Sequence, residues 1–199
     1  MPAILLRWSG GALVVIASVL AIRAPLPDVL ISTDGQALAV RGADGRLAIH
    51  RNGRDAFAVK EWLAADGDPR LPTDKALGEG FRCDASGCIA KLVDGRLVSQ
   101  VLAPDAFAED CRLAAVVVAS RELPLECKAL AIDRKMSRSQ GAISLRRNGD
   151  GFEMTAARPA GQDRPWARGS VVPEESARTT IRPAPRDATP RESDLEAGD

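Results

Sequence analysis

Residues 3–22 read AILLRWSGGALVVIASVLAI, an apolar run broken only by Arg7 and a few small or polar positions, and Pro25 and Pro27 end it. A helix of about 20 residues spans a hydrocarbon layer of about 30 Å, and an arginine near its end can snorkel to the interface. The pattern predicts a membrane helix over 4–24. A cleaved leader is the competing expectation, with Arg7 as its basic region. Proline directly after Ala24, and bulky Ile22 at the third position before the cut, suit cleavage poorly. Arg7 and Arg23 flank the run on both sides, so charge does not orient it.

Beyond Pro27 the period shortens. β-prone runs such as ALAVR and RLAIH are punctuated by Asp34-Gly35, Asp44-Gly45 and Asn52-Gly53, and Asp-Gly returns in LVDGRLVSQVL and RNGDGF. Such pairs are hairpin signals. Their irregular intervals argue against a repeat architecture. Polar and apolar positions alternate only loosely, as expected for strands covered on both faces. In DAFAVKEWLAADGD the period becomes helical: Phe57, Val59, Trp62 and Leu63 form a stripe, Asp55 is a cap and Asp66-Gly67 a stop. APDAFAEDCR predicts a second short helix with Pro104 in its first turn. LAAVVVAS reads as a central buried strand, KALAID as its neighbour, and GAISLRRNGDGFEMTAARP as another hairpin. The expectation is an α+β (mixed α/β), β-rich, sandwich-like soluble domain over 28–167. Residues 168–199 are rich in Pro, Ser, Thr and charge with almost no apolar periodicity, which predicts a disordered tail.

Charge narrows the function. The 27 basic and 27 acidic residues cancel, so no coat for nucleic acid or membrane surface is indicated. With no tyrosine, three tryptophans and four phenylalanines, stacking platforms for single-stranded bases are not expected either. Two basic clusters remain as candidate DNA-backbone contacts: Arg134, Lys135 and Arg138 in DRKMSRSQ, and Arg146 and Arg147 in LRRNG. The plainer alternative is the ordinary charge of exposed loops.

Four cysteines stand at Cys83, Cys88, Cys111 and Cys127, the first two in CDASGC. Two disulfides in an oxidising compartment, an all-cysteine metal site and free thiols are the alternatives, with disulfides favoured. The one histidine, His50, is far from them in sequence, which leaves the four thiols as the sole metal option. His50 reads as a surface or edge residue of a hairpin. No G-x-S-x-G elbow, P-loop or strand-linked G-x-G-x-x-G is present, and Glu61, Asp66 and Asp68 read as a solvated face and turn. No catalytic residue, metal ligand or cofactor is assigned, and the chain is expected not to be an enzyme.

The order RAPLPDVLIS, ALAVRGADGRLAI, DAFAVKEWLAADGD, CDASGC, CRLAAVVVASRELPLEC and GAISLRRNGDGFEMTAARPAGQDRPW resembles the C-terminal end of the ComEC competence proteins of alphaproteobacteria, over about residues 5–168. Members of that family are polytopic membrane proteins with an OB-like domain, a many-helix channel and a C-terminal region related to the metallo-β-lactamase fold. They carry transforming DNA as a single strand across the inner membrane. The resemblance implies a fragment: a final channel helix at 4–24 in the lipid bilayer, then a degenerate metallo-β-lactamase-like domain that is not a catalyst, since the family's H-x-H-x-D-H motif is absent. The segment DVLISTDGQALAVRG corresponds loosely to the early strands of that fold, where members carry a D-V-G-Q-G-like turn. It further implies an accessory role beside a separately encoded channel portion, DNA as a partner through that complex, and a bacterial inner-membrane location with the soluble domain in the periplasm. A self-contained membrane-anchored or exported periplasmic binding protein with two disulfides is the rival expectation.

Overall fold

The computed structural model describes residues 2–23, 25–53, 56–124, 126–159 and 161–162. The predicted tail at 168–199, the cap at Asp55 and the cleavage position Ala24 lie outside the described residues.

The apolar opening forms helix α1 (Pro2–Arg23). From Gly10 to Leu20 every residue is exposed, including Leu13, Val14, Ile16 and Leu20. Among the described residues no helix is long and apolar enough to cross a membrane.

Ten strands follow among the described residues, in two five-stranded sheets. The first sheet has the order β10 (Gly151–Ala156), β9 (Ile143–Asn148), β1 (Val29–Ile31), β2 (Ala37–Arg41), β3 (Leu47–Arg51), all antiparallel. The second has the order β4 (Phe81–Cys83), β5 (Gly87–Lys91), β6 (Leu97–Val101), β7 (Val116–Ala119), β8 (Leu130–Ile132). Its first three strands are antiparallel, and β6, β7 and β8 run parallel.

The Asp-Gly pairs work as hairpin turns because each residue has its own task. The carboxylates of Asp34, Asp44 and Asp94 each accept the backbone N–H two residues on, from Gln36, Arg46 and Arg96. This local bond holds the turn while the next strand begins to pair.

Apolar side chains of both sheets meet between them. Val29, Ile31, Leu38, Val40, Ile143 and Leu145 of the first sheet pack on Val98, Val116, Val118 and Ile132 of the second. The outer face of the first sheet, through Ala37, Ala39, Leu47 and Ile49, is covered by Val59 and Leu63 of helix α2 (Phe57–Asp66) and by Leu77. The outer face of the second is covered by helix α3 (Phe107–Leu113), where Phe107 packs on Val101, Val117 and Ala119. The order of layers is helix, sheet, sheet, helix, and it accounts for the loose alternation of strands such as β2, buried on both faces.

The α2 stripe is narrower than expected, since Phe57 is exposed while Val59 and Leu63 are buried. One element was not expected at all: the basic segment DRKMSRSQ is helix α4 (Arg134–Gln140), capped by the Asp133 carboxylate, which accepts the Met136 N–H at 2.8 Å. An Asp before a helix-compatible run is the signal that would have revealed it.

Candidate functional site

Registers determine which side chains face each other across the sandwich. In the second sheet Cys83 pairs with Cys88, Cys88 with Gln100, Gln100 with Val118 and Val118 with Ile132. In the first, His50 pairs with Leu38, Leu38 with Ile31, and Ile31 with Ile143. Directly opposed residues share a face of a sheet. Each set is therefore a row across the inner face, apolar in the middle and polar toward β3 and β4. Gly80, just before β4, sits so close to β3 that a Cβ there would lie 2.4 Å from the Ala48 Cβ.

Gln100 joins the rows. It is 2 % exposed, and its amide nitrogen donates to the Gly35 and Gln36 carbonyls, each at 3.1 Å. Its amide oxygen must then face His50, whose Nδ1 lies 2.6 Å away. That oxygen only accepts, so Nδ1 carries the proton and Nε2 presents a lone pair. The ring lies 5.8 Å from that of Phe81, tilted by 48°.

The two carbonyls belong to the turn at 32–36, which is itself tightly held. Ser32 Oγ donates to Asp34 and accepts the Ala37 N–H at 2.9 Å. Gly35 has φ 70°, and a Cβ there would meet the Ala119 carbonyl oxygen at 3.2 Å. A side chain would meet both a strained backbone and a crowded neighbour. The turn thus rests on the carboxyl ends of β6 and β7, the end of parallel strands at which open sheets bind ligands.

Beside it lies the hairpin of CDASGC. Asp84 accepts the backbone N–H groups of Ser86 and Gly87 at 2.7 and 2.9 Å, and these bonds hold its carboxyl below the ordinary range. Cys83 and Cys88 form a cross-strand disulfide with Cα atoms 4.1 Å apart. Cys88 is fully buried, whereas Cys83 is exposed. The His50 and cysteine ligand atoms all lie within 4.8 Å of one another. The expectation that only an all-cysteine set could hold a metal is corrected here: folding brings His50 to Cys83 and Cys88. Cys111 and Cys127 are bonded to each other on the outer face of the second sheet, against the α3 cluster. Only the packing of one sheet on the other, invisible in the linear spacing, connects residue 50 with residues 83 and 88.

The candidate DNA contacts divide into two sets. Arg134, Lys135 and Arg138 lie exposed on α4 without an ion pair among the described residues. Arg146 pairs with Glu153 across the β9–β10 hairpin. Arg147 serves the fold: its Nε and backbone N–H donate to the buried Asp28 carboxylate at 2.9 and 2.7 Å. The two arginines lie toward the far end of β9 from α4, roughly 10–13 Å along the strand from its first residue at about 3.3 Å per residue.

The carboxylates near α2 are similarly engaged. Asp66 makes a two-pronged pair with Arg41, at 2.6 and 3.2 Å. Asp68 is gripped by Arg70, whose hydrogen bonds hold its carboxyl below the ordinary range against the opposing effect of burial. Glu61 is exposed on the helix surface.

No protein-family model, curated protein or solved structure matches the chain.

Proposed function

We propose that the chain is a non-catalytic accessory domain of a ComEC-like channel for DNA uptake at the bacterial inner membrane, with its folded part in the periplasm. The observation that carries this reading is the helix–sheet–sheet–helix layering with the turn at 32–36 seated on the carboxyl ends of β6 and β7. That layering is compatible with a degenerate metallo-β-lactamase-like domain, and the turn carries the Asp-Gly-Gln sequence that resembles the family's early turn. In place of a histidine- and aspartate-rich ligand set, this end of the sandwich holds His50, Gln100 and a cystine. That substitution supports a scaffold beside the pore over a nuclease.

The exposed apolar surface of α1, from Leu13 to Leu20, is the proposed contact with lipid or with channel helices. A helix apolar all round is unsuited to water and calls for such a partner. The α4 residues Arg134, Lys135 and Arg138 are the better placed of the candidate DNA contacts, being exposed and unpaired with carboxylates among the described residues.

The test is co-expression with the channel portion of a ComEC-like protein, followed by affinity isolation in mild detergent. Recovery of both chains in fixed ratio is expected. Isolation of a stable, folded chain alone would sink this reading and favour the rival, a self-contained anchored or exported binding protein, for which the closed inter-sheet core and two disulfides argue.

A further inference from the structure

We infer that His50, Cys83 and Cys88 form a redox-gated zinc site, closed as the disulfide and opened by reduction. Two thiolates and one imidazole suit this borderline-soft ion, with solvent completing a tetrahedron.

Three independent features converge. The register places both cysteines directly opposite each other on one face of a hairpin, so their thiols remain neighbours once the bond is broken. His50 is delivered from the other sheet with its protonated Nδ1 held by the buried Gln100 oxygen, leaving Nε2 as the ligand atom. A zinc-binding histidine is generally oriented by such a bond from its second nitrogen. Finally, the distances fit. With Zn–S of about 2.3 Å and Zn–N of about 2.0 Å, tetrahedral ligand atoms lie roughly 3.5–3.8 Å apart. One ring nitrogen of His50 and the two sulfurs lie within 4.8 Å of one another, so the imidazole needs to approach by about 1 Å while the sulfurs, about 2.0 Å apart when bonded, part by about 1.7 Å on reduction.

Access is asymmetric, and this sets the chemistry. Cys83 is exposed, while Cys88 is sealed. A dithiol reductant attacks the Cys83 sulfur, and the S–S bond breaks with Cys88 leaving as thiolate. The reductant's second thiol then displaces Cys83, so that the reductant ends as its own disulfide and the two electrons reside on the cysteines. Zinc binding releases whatever protons the two thiols still hold. In an oxidising compartment the site stays shut until such a dithiol reaches it.

The test uses the full chain in mild detergent and zinc ion alone, titrated against a chromophoric chelator. Tris(carboxyethyl)phosphine serves as reductant; it takes oxygen from water and ends as the phosphine oxide. The Cys111→Ser/Cys127→Ser double variant removes the other thiols, and its reduced form is expected to bind one zinc while its oxidised form binds none. His50→Gln should weaken binding by more than about 100-fold, because even outer partners of metal ligands are worth about 10–100-fold. Cys83→Ser/Cys88→Ser should abolish it. Since His50 is the one histidine, its ring ¹⁵N resonances report directly: Nε2 should shift on zinc addition while Nδ1 stays protonated. Failure of the reduced double variant to bind zinc with unchanged circular dichroism would overturn the inference. So would unfolding on reduction, because the fold must hold the three ligands unaided, and so would undiminished affinity in His50→Gln.

Discussion

Replacing Gln100 by leucine should destabilise the domain by about 2 kcal/mol, and the structure says where that cost arises. Three hydrogen bonds vanish, to the Gly35 and Gln36 carbonyls and to His50 Nδ1. The Gln36 oxygen keeps the Asn52 N–H at 2.8 Å, so it is not orphaned. The half-buried imidazole can turn toward water. The Gly35 oxygen is the acceptor that suffers most, and a buried group without a partner costs about 1–3 kcal/mol. Leucine burial offsets part of the loss of the other two bonds, which leaves a net of about 2 kcal/mol. For a chain of this size that is a fall in melting temperature of about 4–8 °C. Thermal unfolding of the full chain in mild detergent, followed by circular dichroism, measures it. Gln100→Glu sharpens the test: at neutral pH its carboxylate faces two carbonyl oxygens, so its pKa in the folded state should rise above the unfolded value. Its penalty should therefore be full above the raised pKa and shrink as pH falls through it. A shift below 1 °C in the leucine variant, roughly 0.3 kcal/mol or less, would refute the view that Gln100 ties the two sheets together.

Removing the Cys111–Cys127 bond, with a sequence separation of 16, should cost about 3 kcal/mol by loop-closure entropy, read as a shift in urea midpoint; no change would mean that the helix α3 contacts alone fix this loop. Arg147→Ala strips the buried Asp28 carboxylate of its guanidinium and should lower stability by about 1–3 kcal/mol, while salt-sensitive retention on single-stranded DNA should be lost on joint alanine substitution of Arg134, Lys135 and Arg138 instead. Asp68 titrates below its ordinary value because of Arg70, so its contribution is intact above the unfolded pKa and is lost as pH falls through the folded one. The stability gap between wild type and Asp68→Asn should accordingly close below about pH 4, and a gap independent of pH from 7 to 2.5 would contradict the assignment.

The architecture was legible where local chemistry is self-sufficient. Asp-Gly pairs marked the hairpin turns through the Asp side chain and the glycine backbone, and VVVA marked the central strand β7 through burial on all positions. What failed was any inference that depended on who lies opposite whom. Arg147 looked like a free cation until β9 paired with β1 and set it beside Asp28. The α4 helix was hidden because its residues are mostly polar and expose Arg134, Lys135 and Arg138, so no apolar stripe announces it.

The same dependence on register makes the end row of the sandwich informative. Its middle, Leu38, Ile31, Ile143, Val118 and Ile132, is what burial alone would select. At the β3 and β4 edge the row changes to His50, Gln100, Cys88 and Cys83, although Gln100 and Cys88 are as inaccessible as the apolar positions. A buried amide must be fully hydrogen-bonded to avoid a penalty, and leucine in its place would carry no such requirement. Gln100 meets the requirement by fixing two backbone carbonyls and one imidazole tautomer at once. The carbonyls alone explain a structural tie between the turn at 32–36 and the second sheet. They do not require an imidazole with its Nε2 lone pair beside a cystine, and that orientation is what separates a site from a mere clasp.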